Sequence, residues 1–338
     1  MPFTQVHVHK KRGDILDKIL QTAKSEPQRI IFPEGTEPRI LQALVYLVKH
    51  KILTPILVGN EKEILKAIIH HHHPELKNVT IIDPQHFPAL ANELYELRKD
   101  KGMTIDQAKE LTKDPVWAGM MLLKRGDADG LICGAMHKTA ETLKPAFTII
   151  KTKPGVAIAS SYFLMLVDSQ VYFYADCAVN PDPSPEQLAD IAITTADTAK
   201  SFGYEPKVAM LSFATHNSAQ HPLVDKVQKA TDIILQRRPD IIVDGPVQFD
   251  TAVVPDVAQK KAPQSPIKGN ANVLVFPNLD VGNIAYKITQ RFAHAKPVGP
   301  MLQGLNKPVN DLSIGCTIEE IIETAALTAV QAITEKKK

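Results

Sequence analysis

The stretch RIIFPEGTEPRILQALVYLV, residues 29–48, decides the fold class. Its first part, Ile30–Phe32, is a short apolar run that predicts a buried strand, and Pro33 ends that strand. Thr36 then opens a predicted helix whose apolar residues recur at helical spacing. These apolar residues are Ile40, Leu44, Leu47 and Val48. A strand followed at once by an amphipathic helix is the repeating unit of α/β proteins.

The same alternation continues along the chain. Further buried strands are predicted at Pro55–Val58, Val79–Ile82, Gly130–Cys133, Val208–Leu211, Ile241–Asp244 and Val273–Phe276. Helices separate most of them, so the sequence predicts an α/β chain with a mainly parallel sheet. One exception is Val156–Val167 with Val171–Tyr174, which predicts an antiparallel hairpin. Because such a hairpin often marks a change of sheet, we place a domain boundary near Lys151–Gly155; the residues alone leave the second boundary open.

Composition and charge exclude several classes of function. A chain of 338 residues suits two domains, and its formal net charge of +2 argues against nucleic acid and membranes as partners. The three cysteines form no CxxC pair of a zinc site. We find neither a signal-peptide run nor an apolar stretch long enough to span a bilayer. The sequence therefore predicts a cytoplasmic, soluble protein with a small-molecule ligand.

Several familiar catalytic motifs are missing. The sequence contains no GxGxxG after its early strands and no GxxxxGK[ST], HExxH or GxSxG. A run of four histidines, His70–His73, suggests a metal site at first sight. Consecutive residues at a helix end point in different directions, however, so we interpret the run as a solvated helix end. No metal is expected.

Polar clusters follow several of the predicted strands. They are Gly134–Thr139, Ser212–Ser218, Asp244–Gly245, Pro277–Asn278 and Asn310–Ser313. Any one of them could be only a turn. In parallel sheets, however, ligands bind beyond the carboxyl ends of the strands. Five clusters on the same topological side therefore favour a shared cleft.

Longer segments carry a family resemblance. IIFPEGTEPRILQAL (residues 30–44), ADGLICGAMHKTAETLKPAF (residues 128–147) and VGPMLQGLNKPVNDLSIGC (residues 298–316) resemble the phosphate acetyltransferase and phosphate butyryltransferase family. With two long segments between them, the resemblance covers the chain from about Arg29 to its end. It implies two α/β domains with mainly parallel sheets that face a cleft, similar to isocitrate and isopropylmalate dehydrogenases. It also implies that residues 1–150 and about 297–338 form one domain and residues 151–296 the other.

The resemblance also implies an activity. Members of the family catalyse acetyl-CoA + phosphate = CoA + acetyl phosphate, a reaction of acetate metabolism, by direct attack of the CoA thiolate on the acyl phosphate. CoA and acetyl-CoA are substrates, no bound cofactor is needed, and a homodimer is implied. Such a reaction needs a base for the thiol, donors for the charged carbonyl oxygen, and cations for the phosphate groups.

Two residues match catalytic positions of the family. Ser313 matches the serine that stabilises the transition state, and Glu320 matches an acidic position proposed as the base for the thiol. Glu320 has a second interpretation, because Thr317-x-x-Glu320 is also a helix capping box. The two roles are compatible. Cys316 also matches the family, and we interpret it as a packing residue.

The family pattern further implies a set of substrate-binding residues. Its members are Arg98, Lys138, Thr139, Lys144, Tyr286, Lys287, Arg291 and Asn310. Arg98 matches an arginine linked to CoA binding, and Lys144 stands where the family has arginine. A Lys–Arg pair four residues apart in a helix, such as Lys287 and Arg291, could instead be a solvated helix face.

One departure raises a second hypothesis. Most active members carry arginine where this chain has Ile314, and isoleucine has neither charge nor hydrogen-bond donor. Losing such a contact would cost about 2–4 kcal/mol. The alternative is a catalytically weak or inactive protein that binds acyl-CoA as a regulator. Lys138, a cation at an unusual position, is a candidate replacement for the arginine.

Overall fold

The structure, a computed structural model, describes residues 8–168 and 170–337. Two compact units divide the chain. One joins Gly13–Lys151 with Leu305–Lys338, and the other contains Thr152–Gly304. We name them the five-stranded unit and the six-stranded unit after their sheets.

The bounds of the elements are as follows. The strands are β1 (Arg29–Phe32), β2 (Thr54–Val58), β3 (Thr80–Ile82), β4 (Gly130–Cys133), β5 (Ser160–Val167), β6 (Gln170–Ala175), β7 (Lys207–Leu211), β8 (Ile242–Val247), β9 (Val273–Val275), β10 (Lys296–Gln303) and β11 (Val309–Asp311). The α-helices are α1 (Val8–Ser25), α2 (Pro38–Lys49), α3 (Glu61–His70), α4 (Ala89–Arg98), α5 (Ile105–Leu111), α6 (Pro115–Arg125), α7 (Thr139–Pro145), α8 (Pro185–Ser201), α9 (Pro222–Arg237), α10 (Phe249–Val253), α11 (Pro255–Lys261), α12 (Leu279–Phe292) and α13 (Ile318–Lys336).

The five-stranded sheet is parallel throughout, in the order β11-β4-β1-β2-β3. Successive side chains of a strand point to opposite faces, and this alternation sets the helix layers. Gly130 of β4 lies so close to helix α13 that a Cβ atom there would come within 2.8 Å of Thr328. Its neighbour Leu131 faces α6, since a Cβ atom on Gly119 would meet Leu131 at 2.9 Å. The sheet is therefore packed between α13 and α6.

The six-stranded sheet is mixed, in the order β10-β5-β6-β9-β7-β8. Strands β5 and β6 form the antiparallel hairpin predicted from the sequence, and β10 pairs antiparallel with β5. The pairs among β6, β9, β7 and β8 are parallel. Because β10 (Lys296–Gln303) belongs to this sheet, the chain passes to the other unit only after Gly304.

The sequence predicted most of these strands within a few residues, and the α/β class with mainly parallel sheets is confirmed. Two strands were missed, β10 and β11. Strand β10 contains Pro297, Gly299 and Pro300, and β11 contains two polar residues, so neither shows an apolar run. Across the described residues, no helix combines the length and the apolar character that crossing a membrane requires.

Candidate active site

Three neighbouring strands of the five-stranded sheet, β11, β4 and β1, end at the same edge. Glu34 follows β1, the loop Gly134–Lys138 follows β4, and Asp311 is the last residue of β11. Because these strands are parallel, their carboxyl ends bring the three segments together. Ser313 comes two residues after β11 and lies at the same edge.

The Glu34 carboxylate organises the loop after β4. Its two oxygens accept hydrogen bonds from the amides of four successive residues, Gly134 (3.2 Å), Ala135 (2.9 Å), Met136 (2.7 Å) and His137 (3.1 Å). The Nδ1 atom of His137 lies 2.7 Å from the same carboxylate. Burial alone raises the pKa of Glu34, but the bonds from His137, Met136 and Ala135 outweigh it and bring the pKa below its ordinary value. The loop therefore surrounds a charged, buried carboxylate.

Arg39, on α2, links this loop to the segment that contains Ser313. Its Nη2 atom donates to the Ala135 carbonyl at 3.0 Å, and its Nη1 atom donates to the carbonyls of Ile314 and Cys316, both at 2.8 Å. Its Nε atom donates to Glu37 at 2.7 Å, and this bond to Glu37 raises the pKa of Arg39. One guanidinium group thus fixes two loops that are far apart in the sequence.

Asp311 is a buried carboxyl between these loops. It is 6% exposed, and its Oδ1 atom has no hydrogen-bond partner among the described residues. Burial raises its pKa to about 6, although the hydroxyls of Thr139 and Thr142 oppose this effect. Gly134, with φ +111°, makes room for the carboxyl, because a Cβ atom there would come within 2.5 Å of Asp311 Oδ1.

Ser313 and Ile314 form an exposed turn. The Ser313 Oγ atom accepts a hydrogen bond from the Gly315 amide at 3.3 Å, and its hydroxyl hydrogen is free to point to a ligand. The Ile314 side chain is 55% exposed. Cys316 is buried, and burial raises the pKa of its thiol, so the thiol is held in its protonated form.

Glu320 lies in the first turn of α13, where the capping box predicted from the sequence is present. Its Oε2 atom accepts from the Thr317 amide at 2.8 Å, and its own amide donates to Thr317 Oγ1 at 3.2 Å. Its Oε1 atom accepts no hydrogen bond from any residue of the ranges 8–168 and 170–337. Glu320 is exposed, so this second oxygen faces solvent.

Lys138 and Thr139, both exposed, lie where the Glu34-bound loop passes into α7. The Lys138 amide donates to Glu141 at 2.8 Å, which fixes the backbone at this point. The Lys138 ammonium forms no ion pair within the part of the chain that the structure describes. Among the described residues it is therefore an unpaired cation, on the loop that Arg39 links to the Ser313 segment.

A second group of cations lines a pocket of about 480 Å³ in the same unit. Arg98, Lys101 and Lys144 contribute positive charge, while Met103, Leu111 and Trp117 contribute apolar surface. Two of the residues predicted from the sequence, Arg98 and Lys144, thus share one pocket although they lie 46 positions apart in the chain. A pocket with cations and an aromatic side chain suits a ligand with phosphate groups and a ring system.

The Asn310 side chain faces helix α13 and does not line this site. Its side chain is fully buried and donates to Thr328 Oγ1 and Gln331 Oε1, both at 2.8 Å. Both partners belong to α13, so Asn310 holds that helix on the sheet. The buried position of Asn310 leaves no surface for a substrate to contact.

The other three predicted residues lie on helix α12 of the six-stranded unit. Tyr286 stacks on Phe163 with ring centroids 4.3 Å apart, and Lys287 donates to Asn283 at 2.8 Å. Arg291 is exposed. Tyr286 is therefore a half-buried residue that packs against the sheet, whereas Lys287 and Arg291 extend from the helix surface.

Two more polar centres lie at the carboxyl ends of strands in the six-stranded unit. Asp176, directly after β6, is buried and accepts bonds from Ser161 and from the amides of Ala178, Val179 and Asn180. His216, after β7, lies with its Nε2 atom 2.9 Å from Asp244. No cluster of three or more metal-ligating side chains occurs in the described residues, including His70–His73.

Sequence reasoning missed Glu34 and Arg39, and it placed Asp311 in the polar cluster Asn310–Ser313 without assigning it a role. A signal for Glu34 was present, because Glu34 follows the strand Ile30–Phe32 just as the other polar clusters follow their strands. Arg39 showed no such signal. Its carbonyl partners are 96 to 277 positions away in the sequence, so its role depends on the tertiary fold.

Comparison with known proteins agrees with this architecture. The family model described as phosphate acetyl/butaryl transferase matches residues 14–329. Phosphate acetyltransferase of Thermoanaerobacterium thermosaccharolyticum is 48% identical over 328 residues, which cover 94% of this chain and 99% of that protein. Phosphate acetyltransferase of Escherichia coli is 45% identical over 320 residues, which cover 94% of this chain and only 45% of that longer protein.

A solved structure gives the same result for the fold. A phosphotransacetylase from Streptococcus pyogenes superposes with a TM-score of 0.92 and 43% identity, and the match covers 95% of this chain and 99% of that chain. Sequence and fold agree over almost the whole length of the chain. This chain belongs to the phosphate acetyl/butaryl transferase family.

Proposed function

We propose that this chain transfers an acetyl group between phosphate and CoA, so that acetyl phosphate and CoA give acetyl-CoA and phosphate. The observation that carries the proposal is the 48% identity to a phosphate acetyltransferase over 94% of this chain and 99% of that enzyme. It makes the chain an acyltransferase, with CoA and acetyl phosphate as substrates.

In the forward direction the CoA sulfur attacks the carbonyl carbon of acetyl phosphate. A C–S bond forms, the C–O bond to phosphate breaks, and the thiol proton passes to a base. We assign the base to Glu320, whose Oε1 atom is exposed, while Oε2 is held by Thr317. We assign the stabilisation of the carbonyl oxyanion to the Ser313 hydroxyl, which lies on the exposed turn.

The phosphate group is assigned to Lys138 and Thr139. Both are exposed at the start of α7. The Lys138 ammonium donates hydrogen bonds to phosphate oxygens, and the Thr139 hydroxyl, which faces Asp311 in the free protein, rotates to donate to phosphate. Lys138 is the one lysine or arginine in residues 134–139 and 312–316, all of which the structure describes. Its charge can also balance the negative charge on the departing phosphate.

The phosphates of CoA are assigned to the pocket of Arg98 and Lys144. Its volume of about 480 Å³ suits part of a large nucleotide rather than the whole of CoA. On the six-stranded unit we propose Lys287 and Arg291 as further contacts for anionic substrate, with Tyr286 supporting their helix. Asn310 is left out, because it is fully buried.

The decisive experiment measures thioester formation by ultraviolet absorbance from CoA and acetyl phosphate. Turnover that depends on both substrates supports the proposal. A folded protein that binds CoA in calorimetry without turnover would support the alternative, a binding protein. The specific observation that favours that alternative is Ile314, an exposed apolar side chain beside Ser313.

The quaternary structure proposed for the chain is a homodimer, and helix α12 supports it. Val281, Ile284, Ile288 and Phe292 follow helical spacing along one face of this helix, and all four are exposed, Phe292 by 84%. A contiguous apolar face of this kind marks an interaction surface. We propose that a second copy of the chain covers it.

Two further assignments complete the proposal. The five-stranded and six-stranded units correspond to the two domains of the enzyme, each with a sheet of its own. A cytoplasmic location fits the three cysteines, all of which are free and buried. Cell fractionation with an antibody against the chain tests the location.

A further inference from the structure

Glu34 occupies a site that a ligand anion takes in many α/β proteins. Successive backbone amides in a loop after a strand form a concave site for negative charge. Here the four amides of Gly134, Ala135, Met136 and His137 point at the Glu34 carboxylate, at 2.7–3.2 Å. The anion site is therefore filled by the chain itself, and a substrate phosphate must be bound by other groups.

Glu34 does not contact substrate. Its side chain is 1% exposed, and the hydrogen bonds of its carboxylate within the described residues all come from the loop after β4. That loop leads directly into Lys138 and Thr139, which are exposed. The buried carboxylate thus determines the position of two exposed groups without reaching the surface itself.

Arg39 cannot replace Lys138 as the cation for phosphate. Four of the five N–H groups of its guanidinium are directed at Glu37 and at the carbonyls of Ala135, Ile314 and Cys316. One N–H remains, which is too few for a two-point contact with phosphate. The exposed cation on the Glu34-bound loop is therefore the group whose position matters.

We propose that Glu34 is a positioning residue for acyl transfer, which holds Lys138 and Thr139 in place through the amides of residues 134–137. The inference rests on the proposed function, because it assigns the phosphate to Lys138 and Thr139. It predicts that the loop loses its fixed position when the charge of Glu34 is removed. The fold of the sheet below the loop is then still intact.

The first test is Glu34→Gln, which keeps the size of the side chain. One carboxylate oxygen becomes an NH2 group that cannot accept a bond from an amide, so the loop shifts. We expect kcat to fall about 10- to 100-fold and KM for CoA to change by no more than about twofold. The matched control is Asp129→Asn, a carboxylate of the same unit that pairs with Arg29 and Lys336. This control loses stability and keeps kcat.

The second test is a double-mutant cycle with Lys138→Ala. If Glu34 acts through Lys138, then Lys138→Ala lowers kcat/KM for acetyl phosphate strongly in the wild type but by no more than about twofold in the Glu34→Gln background. Independent, multiplicative effects would overturn the proposal, as would a Glu34→Gln enzyme with wild-type kcat. If Glu34→Gln does not fold, Glu34→Asp takes its place, because the shorter carboxylate cannot reach all four amides.

The same assays separate the two proposals. A wild-type protein that is folded and forms no thioester contradicts the proposed function. An active wild type whose rate is unaffected by Glu34→Gln contradicts only the role of Glu34.

Discussion

Thr317 and Glu320 hold each other at the start of helix α13. The Thr317 amide donates to Glu320 Oε2 at 2.8 Å, and the Glu320 amide donates to Thr317 Oγ1 at 3.2 Å. This arrangement leaves Oε1 of the same carboxylate exposed to solvent. One side chain thus caps the helix with one oxygen and leaves the other available for the proposed role as base, so the two roles can be separated by mutation.

The substitution Glu320→Gln separates the capping role of Glu320 from its proposed role as base. Glutamine is accepted in a capping box, so we expect the free energy of unfolding to change by less than about 0.5 kcal/mol. The amide cannot take the thiol proton, so kcat falls about 100- to 10,000-fold. Glu319→Gln removes the neighbouring acid from the same turn and serves as the control for helix charge. Equal rates for the two variants would contradict the role of Glu320 as base.

Ile314→Arg tests the missing cation on the turn of Ser313. The Ile314 side chain is 55% exposed, so arginine fits without disturbing the core. A charge-assisted bond to phosphate is worth about 1.5–3 kcal/mol, so kcat/KM for acetyl phosphate rises about 10- to 100-fold. Ile314→Met, which keeps an apolar side chain, leaves it unchanged. An arginine variant with the wild-type value would contradict the expectation that a cation at residue 314 adds a phosphate contact to that of Lys138.

Arg98→Ala and Lys144→Ala test the cationic pocket. We expect KM for CoA to rise about tenfold or more in each variant, because a contact to phosphate is lost. The rate with pantetheine, a thiol without the nucleotide phosphates, remains the same. Lys109→Ala, an exposed lysine outside the pocket lining, is the control. If the variants affected CoA and pantetheine equally, the pocket would not bind the phosphates.

The raised pKa of the buried Asp311 carboxyl makes the free energy of unfolding depend on pH. Its pKa is raised to about 6 from an ordinary 3.8, so the folded protein binds the proton more tightly than the unfolded chain does. Stability therefore falls as pH rises from about 4 to 6, by up to about 3 kcal/mol, and the loss persists at higher pH. In Asp311→Asn this loss is absent.

The measurement is urea unfolding of wild type and Asp311→Asn at pH 4 and pH 8. The stability of the variant relative to wild type should increase by up to about 3 kcal/mol between the two. Asp129→Asn is the control. Burial raises the pKa of Asp129, but its partners Arg29 and Lys336 outweigh this effect and lower the pKa to about 2. Its difference from wild type stays nearly constant above pH 4. A constant difference for Asp311→Asn as well would refute the assignment.

Ile284→Glu tests the exposed face of α12. A charge in the middle of an apolar dimer interface is costly, so we expect the variant to elute as a monomer in size-exclusion chromatography where the wild type elutes as a dimer. Ile69→Glu, on an exposed apolar residue of the other unit, keeps the wild-type elution. If Ile284→Glu and wild type both eluted as dimers, the dimer interface would not include this face of α12.

The strands that the sequence predicted are those with buried, branched side chains. Strand β1 contains Ile30, Ile31 and Phe32, all fully buried, and the pattern of these residues is local. Strand β11 was missed because Asn310 and Asp311 look like loop residues. Thr328 and Gln331 of α13 accept hydrogen bonds from the buried Asn310 side chain, and those partners cannot be recognised from the neighbouring sequence.

The candidate site shows the same limit. Ser313, Glu320, Arg98 and Lys144 could be predicted because they match motifs of the family. The contacts of Glu34 and Arg39 that bring loops together could not be predicted, because each contact depends on the tertiary structure. The Glu34 carboxylate accepts a hydrogen bond from the His137 amide, which lies 103 positions away in the sequence. No periodic pattern of residues indicates a contact between positions so far apart.

The amide site filled by Glu34 has a consequence for how this scaffold can evolve. Proteins that bind phosphate through backbone amides depend on loop geometry, and a change of specificity then requires a new loop. Here the amides hold an internal carboxylate, and in the proposed function side chains such as Lys138 recognise the phosphate instead. Under that proposal a single substitution removes or restores the phosphate contact, and the backbone of the loop does not have to change. We therefore expect single substitutions to tune acyl phosphate affinity gradually, in natural selection or in the laboratory.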